Sequence, residues 1–160
     1  MRIGLFAVGR LKAGPEKELA ARYIDRLAKT GPAIGLEAGR MTEVAESRAS
    51  NAETRKRDEA AMLEKALPDG SVLILLDERG KALDSEAFAD LLGKYRDAGK
   101  RDLTIAIGGA DGLDLSLHDR ADAVLCLGKL TWPHQLVRIL IAEQLYRAVT
   151  ILSGHPYHRA

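Results

Sequence analysis

Residues 71–81, Ser71-Val72-Leu73-Ile74-Leu75-Leu76-Asp77-Glu78-Arg79-Gly80-Lys81, hold the most continuous apolar run in the chain. Its apolar part follows neither the two-residue alternation of a half-exposed strand nor a helical period. That pattern predicts a central strand covered on both faces, as in a parallel sheet. Pro68-Asp69-Gly70 turns into the strand, and the charged stretch Asp77 to Lys81 is read as closing it. Toward the C-terminus, Asp84 or Ser85 caps a helix through about Tyr95, with Phe88, Leu91 and Leu92 inward. Leu103 to Ile107 is a second buried strand, which runs into Gly108-Gly109-Ala110-Asp111-Gly112. A short helix near Leu115 to Arg120, a strand from Ala123 to Leu127 and a long helix from Pro133 to about Ala148 follow.

Toward the N-terminus, Ile3 to Val8 reads as a strand ended by Gly9. A helix from Pro15 to about Leu27 groups Leu19, Tyr23, Ile24 and Leu27 on one face, and Thr30-Gly31-Pro32 stops it. A weak strand is expected at Ile34 to Ala38. A helix from about Asn51 to Leu67 then groups Ala60, Leu63 and Leu67, with Arg55, Lys56 and Arg57 on its charged face. Strands alternating with helices predict an α/β fold, a mainly parallel sheet flanked by helices, built as one domain over residues 1–160. Ligands of such sheets bind at the carboxyl ends of the strands. Three of those ends stand out: Leu76 to Lys81, Ile107 to Gly112, and Leu127-Gly128-Lys129-Leu130-Thr131-Trp132-Pro133-His134.

With 46% hydrophobic and 29% charged residues in 160, the composition suits a compact domain and excludes disorder. No apolar run approaches the roughly 20 residues of a membrane span, and the N-terminus lacks a signal-peptide core. A single cysteine, Cys126, in apolar surroundings predicts packing rather than a disulfide and agrees with a cytoplasmic location. The net charge of +1 is unevenly spread: residues 1–30 hold seven Lys/Arg against three Asp/Glu, and residues 127–160 four against one. If the two ends meet, they give a basic surface that suits a polyanion; otherwise the charges are scattered solvated groups.

The glycine-rich Gly108 to Gly112 segment either lets a ligand approach the backbone closely or is simply a tight turn. It does not fit G-x-G-x-x-G, and no G-x-x-x-x-G-K-[ST] loop is present, so nicotinamide and nucleoside-triphosphate chemistry lose support. The histidines, His118, His134, His155 and His158, have no metal-ligand spacing, and no metal is expected. Ser153 and the other serines lack a nucleophile's context. Apolar residues cover nearly the whole circumference of the last helix: Leu136, Val137, Ile139, Leu140, Ile141, Ala142, Leu145 and Val149. Such a helix needs cover all round, which predicts a homodimer with this helix in the interface, or else a helix central to the monomer's own core. The tail, Gly154-His155-Pro156-Tyr157-His158-Arg159-Ala160, carries the side chains that stack on or hydrogen-bond to an unpaired base.

The three strand ends and the tail together resemble the SPOUT class of methyltransferases, and within it the small proteins that methylate N3 of a pseudouridine in large-subunit ribosomal RNA. The resemblance covers essentially the whole chain. It rests on Leu76-Asp77 with Gly80-Lys81, on Ile107 to Gly112, on Leu130-Thr131-Trp132-Pro133-His134-Gln135-Leu136-Val137-Arg138, on Ala142-Glu143-Gln144-Leu145-Tyr146-Arg147-Ala148 and on His155-Pro156-Tyr157-His158-Arg159. Gly128, Lys129 and Trp132 depart from the usual pattern, which leaves backbone contacts there as the expectation.

The resemblance implies a deep C-terminal trefoil knot over about residues 70–150, a topology that general folding rules would reject. It implies S-adenosylmethionine as cofactor, held by Leu76, Gly108, Leu127, Gly128, Lys129, Leu130, Thr131 and Trp132. It also implies a functional tail, residues 154–160, acting on the other protomer's cofactor: Tyr157 packs on the base, His155 or His158 takes the N3 proton, and Arg159 or Arg138 holds carbonyl oxygens or a phosphate. A chain this short has no separate RNA-binding domain, so the substrate is expected to be 23S ribosomal RNA within an assembled large subunit or ribosome. A non-catalytic RNA-binding dimer of the same fold, or a knotted methyltransferase with another RNA target, are the alternatives.

Overall fold

The computed structural model describes residues 1–158. In chain order its elements are β1 (Arg2–Val8), α1 (Pro15–Thr30), a 3-10 turn (Gly31–Ile34), β2 (Glu37–Val44), α2 (Ala52–Ala66), β3 (Val72–Ala82), α3 (Ser85–Asp97), β4 (Asp102–Ile107), α4 (Ser116–Arg120), β5 (Ala123–Cys126) and α5 (His134–Leu152). The strands form one five-stranded sheet in the order β2-β1-β4-β3-β5, and every pairing is parallel.

Alternation along the central strands sorts side chains onto two faces. Ile3 and Ala7 of β1, Val72 and Ile74 of β3, and Leu103, Ile105 and Ile107 of β4 meet Leu27, Phe88, Leu92, Ile141, Leu145 and Val149 from α1, α3 and α5. Phe6, Val8, Leu73, Leu75 and Ala106 point the other way, toward Ala60 and Leu63 of α2 and Leu117 of α4. Ile74 and Leu75 are both fully buried, which explains why this strand shows no alternation in sequence. Each such side chain contributes about 1.5–3 kcal/mol by leaving water.

Two strands differ from the sequence expectation. The expected strand at Ile34 to Ala38 lies instead at Glu37–Val44, because Ile34 is taken up by the 3-10 turn that follows Gly31-Pro32. β2 is a sheet edge, so its sequence, Glu-Ala-Gly-Arg-Met-Thr-Glu-Val, needs little apolar character. The second difference is that Asp77 to Lys81 do not close β3 but continue it. β3 pairs with β5 up to Leu76↔Leu125, bulges away, and pairs again at Lys81↔Leu125 and Ala82↔Cys126. Gly80 lies directly against this crossing: a Cβ there would fall inside the backbone of Leu125.

The all-round apolar character of α5 is also explained within the chain. Its C-terminal two-thirds is enclosed by α1, α3 and the sheet, with Ile141, Ala142, Leu145 and Ala148 buried. Much of the helix is thus covered within the chain, in line with the alternative of a helix central to the monomer's own core. Only its first turn, at Leu136, remains exposed, beside Leu130 and Trp132 in the preceding loop.

Candidate functional site

The carboxyl ends of β3, β4 and β5 open into one cleft of about 770 Å³, within the size range of small-molecule sites. All eight residues expected to hold a cofactor line it: Leu76, Gly108, Leu127, Gly128, Lys129, Leu130, Thr131 and Trp132. Leu125, Val137 and His134 complete the wall on the side of α5, and Asp77 to Arg79 on the side of β3. The glycine loop is tightly folded, with the Gly112 N–H donating to the Gly109 carbonyl at 3.1 Å. A Cβ on Gly109 would stand 3.0 Å from Val8 Cγ1 and 3.2 Å from Glu59 Oε2, so this position is filled to the backbone from behind. Across the cleft, Trp132 Nε1 donates to the Leu127 carbonyl at 3.2 Å, which folds the 127–132 loop on itself.

Apolar walls from Leu76, Leu127, Leu130 and Trp132, with bare backbone at Gly108 and Gly109, fit a ligand with a flat ring such as adenosine's. The nearest buried charge is Asp77. Burial raises its pKa, but the Arg79 N–H at 2.9 Å, the Arg79 guanidinium at 3.1 Å and His118 at 3.4 Å outweigh that and hold it below the usual carboxylate range. A carboxylate with a depressed pKa stabilises the fold above its unfolded pKa near ~4, and the contribution is lost as pH falls through the lower, folded value. Asp77→Asn is expected to cost about 1–2 kcal/mol at pH 7 and less below pH ~3, measured by urea titration at both pH values.

Of the expected catalytic residues, Arg138, His155, Tyr157 and His158 are described, and none of these four lines the cleft. Arg138 is buried. Its Nη2 donates to the Val8 and Gly9 carbonyls at 2.8 and 2.7 Å and its Nη1 to Glu43 at 2.6 Å, so it ties α5 to the end of β1. Burial lowers its pKa and Glu43 opposes that, favouring the charged form. The expectation that Arg138 holds a base or phosphate is replaced by this clamp. The cause is local: carbonyls at the end of β1 point into the interior and need a donor.

Residues 155–158 fold back onto α5. Tyr157 Oη donates to Glu143 Oε1 at 3.1 Å; its ring lies 4.8 Å from that of Tyr146, and the Arg147 guanidinium stands over it at 5.2 Å. Burial, with Tyr23 and Glu143 nearby, pushes the Tyr157 pKa up to about 12, so the phenol stays protonated. Its ring is thus an anchor, not a free stacking platform. The Tyr157 N–H donates to His155 Nδ1 at 3.1 Å, which puts the proton of a neutral His155 ring on Nε2 and removes its outward lone pair. His158 lies between Arg147, 3.5 Å from Nδ1, and Glu86, 3.6 Å from Nε2. Arg159 lies outside the described residues.

The two basic ends do converge. α1 packs along α5, and the Arg26 guanidinium sits over the rings of Tyr23 and Tyr146 at 5.5 and 5.6 Å. The basic surface is smaller than counting suggests, since Arg138 is buried and Arg147 is paired with Glu143 at 2.5 Å. Among the described residues no helix is long and apolar enough to cross a membrane.

Two features were not expected from sequence. Arg55 of α2 forms a two-pronged ion pair with Asp111 in the glycine loop, and Glu59 is buried behind Gly109. The run Arg55-Lys56-Arg57 gave a signal, but it reads as a solvated face until the loop is placed beside it.

A family model described as predicted SPOUT methyltransferase matches residues 1–158. The ribosomal RNA large subunit methyltransferase H of Rhizobium leguminosarum bv. trifolii (strain WSM2304) is 86% identical over 159 residues, 99% of each chain. The protein of the same description from Sinorhizobium medicae (strain WSM419) is 82% identical over 160 residues, the whole of both chains. Among solved structures, a probable methylase family protein from Haemophilus influenzae Rd KW20 superposes with a TM-score of 0.58 over 99% of this chain and 70% of its own. Its 13% identity makes that a likeness of fold alone. With the cleft at the three strand ends and the match along nearly its full length, the chain belongs to the SPOUT methyltransferase family.

Proposed function

We propose that this protein methylates N3 of a pseudouridine in 23S ribosomal RNA, in the cytoplasm, with S-adenosylmethionine as methyl donor, on the assembled large subunit or ribosome. The observation that carries the reading is the gathering of Leu76, Gly108 and residues 127–132 around one cleft at the ends of β3, β4 and β5. The names of the relatives above support the ribosomal substrate. The crossing of β3 around Leu125 is the local feature that supports a knot over about residues 70–150.

S-adenosylmethionine, when bound, supplies an electrophilic methyl group on sulfur. Backbone at Gly108 and at 127–131 would hold it, with Leu76 and Trp132 as apolar walls. The protein's task is to align N3 and favour its anionic form. Charge left on the flanking carbonyl oxygens calls for a cation, and Arg159 of the tail is the residue proposed for it. His158 is the proposed proton acceptor, through the ring nitrogen freed when its contact with Arg147 or Glu86 is exchanged for one with the base.

The reading requires a homodimer. Tyr157 is anchored at Glu143, nine residues along α5 from His134 at the cleft, or about 14 Å at helical rise. A second copy would bring its tail to the cleft of the first. The exposed Leu130, Trp132 and Leu136 at the cleft rim give that copy an apolar surface to cover. Residues 154–160 then act in trans as part of a single-domain protein.

Mass-spectrometric mapping of 23S ribosomal RNA from a deletion strain, with and without the restored gene, tests the reading. The expected result is the loss of one methyl group from a pseudouridine and its return on restoration. An unchanged methylation pattern, together with retained RNA affinity and no S-adenosylmethionine binding, would instead identify a non-catalytic RNA-binding dimer.

A further inference from the structure

The glycine loop of the cleft is held from outside by α2. Arg55 Nε and Nη2 donate to Asp111 Oδ2 and Oδ1 at 2.6 and 3.0 Å, and Arg55 Nη1 donates to the Ala49 carbonyl at 3.0 Å. One helical turn on, Glu59 is 6% exposed and accepts the Ser47 N–H at 3.0 Å, with its other oxygen against Gly109. Residues four apart share a helix face, so α2 grips the loop at both its root, Gly109, and its tip, Asp111. Arg55 draws the Asp111 carboxyl below its usual range, while burial pushes Glu59 up.

The grip matters because the loop has little else to order it. Three of its five residues are glycine, Ala110 is exposed, and its internal hydrogen bond is the one from Gly112 to Gly109. A glycine-rich backbone loses much freedom when fixed in one shape, and a ligand must supply that ordering unless the protein already has. Of the α2 cations Arg55, Lys56 and Arg57, Arg55 is committed to Asp111.

We propose that Arg55, with Glu59 beside it, is a positioning residue that pre-shapes the Gly108–Gly112 wall for S-adenosylmethionine, so that it governs cofactor affinity rather than the methyl-transfer step or RNA affinity. The inference rests on the cofactor reading above and deepens it. Arg55 is bonded to Asp111 and the Ala49 carbonyl, so its effect on the wall passes through Asp111.

The test uses the full chain as wild type, Arg55→Met, Asp111→Asn and the exchanged pair Arg55→Asp with Asp111→Arg. Calorimetry gives the S-adenosylmethionine dissociation constant, amide hydrogen exchange reports on residues 108–112 without ligand, and turnover on large subunits gives kcat with separate KM values for cofactor and RNA. Arg55→Met and Asp111→Asn are expected to weaken cofactor binding about tenfold, about 1.4 kcal/mol. Exchange in the loop should accelerate in both, and Arg55→Met, which lies outside the cleft, should keep kcat at saturation and KM for RNA within about threefold of wild type. The exchanged pair should recover most of the affinity, an outcome that general destabilisation would not produce. If Arg55→Met fails to fold, Asp111→Asn, which removes only a charge, decides the matter. Cofactor affinity within twofold of wild type in Asp111→Asn, or unaltered loop exchange, overturns the clamp while leaving the cofactor reading intact. A wild type that binds no S-adenosylmethionine overturns both.

Discussion

Deleting residues 155–160 is expected to lower methyl transfer at least about 1000-fold while leaving S-adenosylmethionine binding within about threefold. The proposed cofactor wall consists of strand ends and the 127–132 loop, and among the described tail residues Tyr157 bonds instead to Glu143 and His155. The tail holds the groups proposed to receive the proton and balance the charge, so its loss should fall on the chemical step. The trans arrangement has its own readout. A tail-deleted chain mixed with a Gly108→Val chain, whose added side chain would meet Gly112, combines one intact cleft with one intact tail. Recovered activity in the mixture, from two variants that are each inactive, is the expected result. No recovery despite proven heterodimers would place the tail in cis or outside the reaction.

The second large effect concerns the fold. Arg138→Met is expected to cost about 3 kcal/mol and lower the Tm by about 6–12 °C, measured by urea titration and calorimetry. The substitution keeps much of the buried volume but leaves the Val8 and Gly9 carbonyls without their donor, and Glu43 without its partner. Arg138→Lys should recover only part of the loss, because one ammonium cannot reproduce the fork that reaches β1 and β2 together. If Arg138→Met is as stable as wild type yet inactive, the residue acts on substrate and the clamp assignment fails.

Residues 72–76, 103–107 and 108–112 could be read from sequence because their composition reflects their surroundings: strands buried on both faces are apolar throughout, and a wall approached by other atoms is glycine. The same logic explains the errors. Asp77 to Lys81 look like a turn by residue type, and are held extended by a second pairing with β5 that no local pattern encodes. Arg138 looks like a surface cation interrupting an apolar helix, because sequence cannot show that the carbonyls of residues 8 and 9 lie beneath it. The apolar circumference of α5 was readable, but not which neighbours cover it: α1 and α3 are distant in sequence and meet it only in the finished sheet. For the tail, residue types suggested contact with a base, whereas Tyr157 meets Glu143 and Tyr146 of its own chain.

The two pairings of β3 with β5 also bear on synthesis. A nascent chain that has emerged only as far as residue 122 can already lay β2, β1, β4 and β3 side by side. It has no cleft, because β5 and the 127–132 loop are still inside the ribosome. Late, sequence-distant closure of this kind slows folding. It also means that cofactor affinity marks completion: a chain stalled before residue 123 lacks β5, the 127–132 loop and the α5 side of the core, and with them the cleft for the methyl donor.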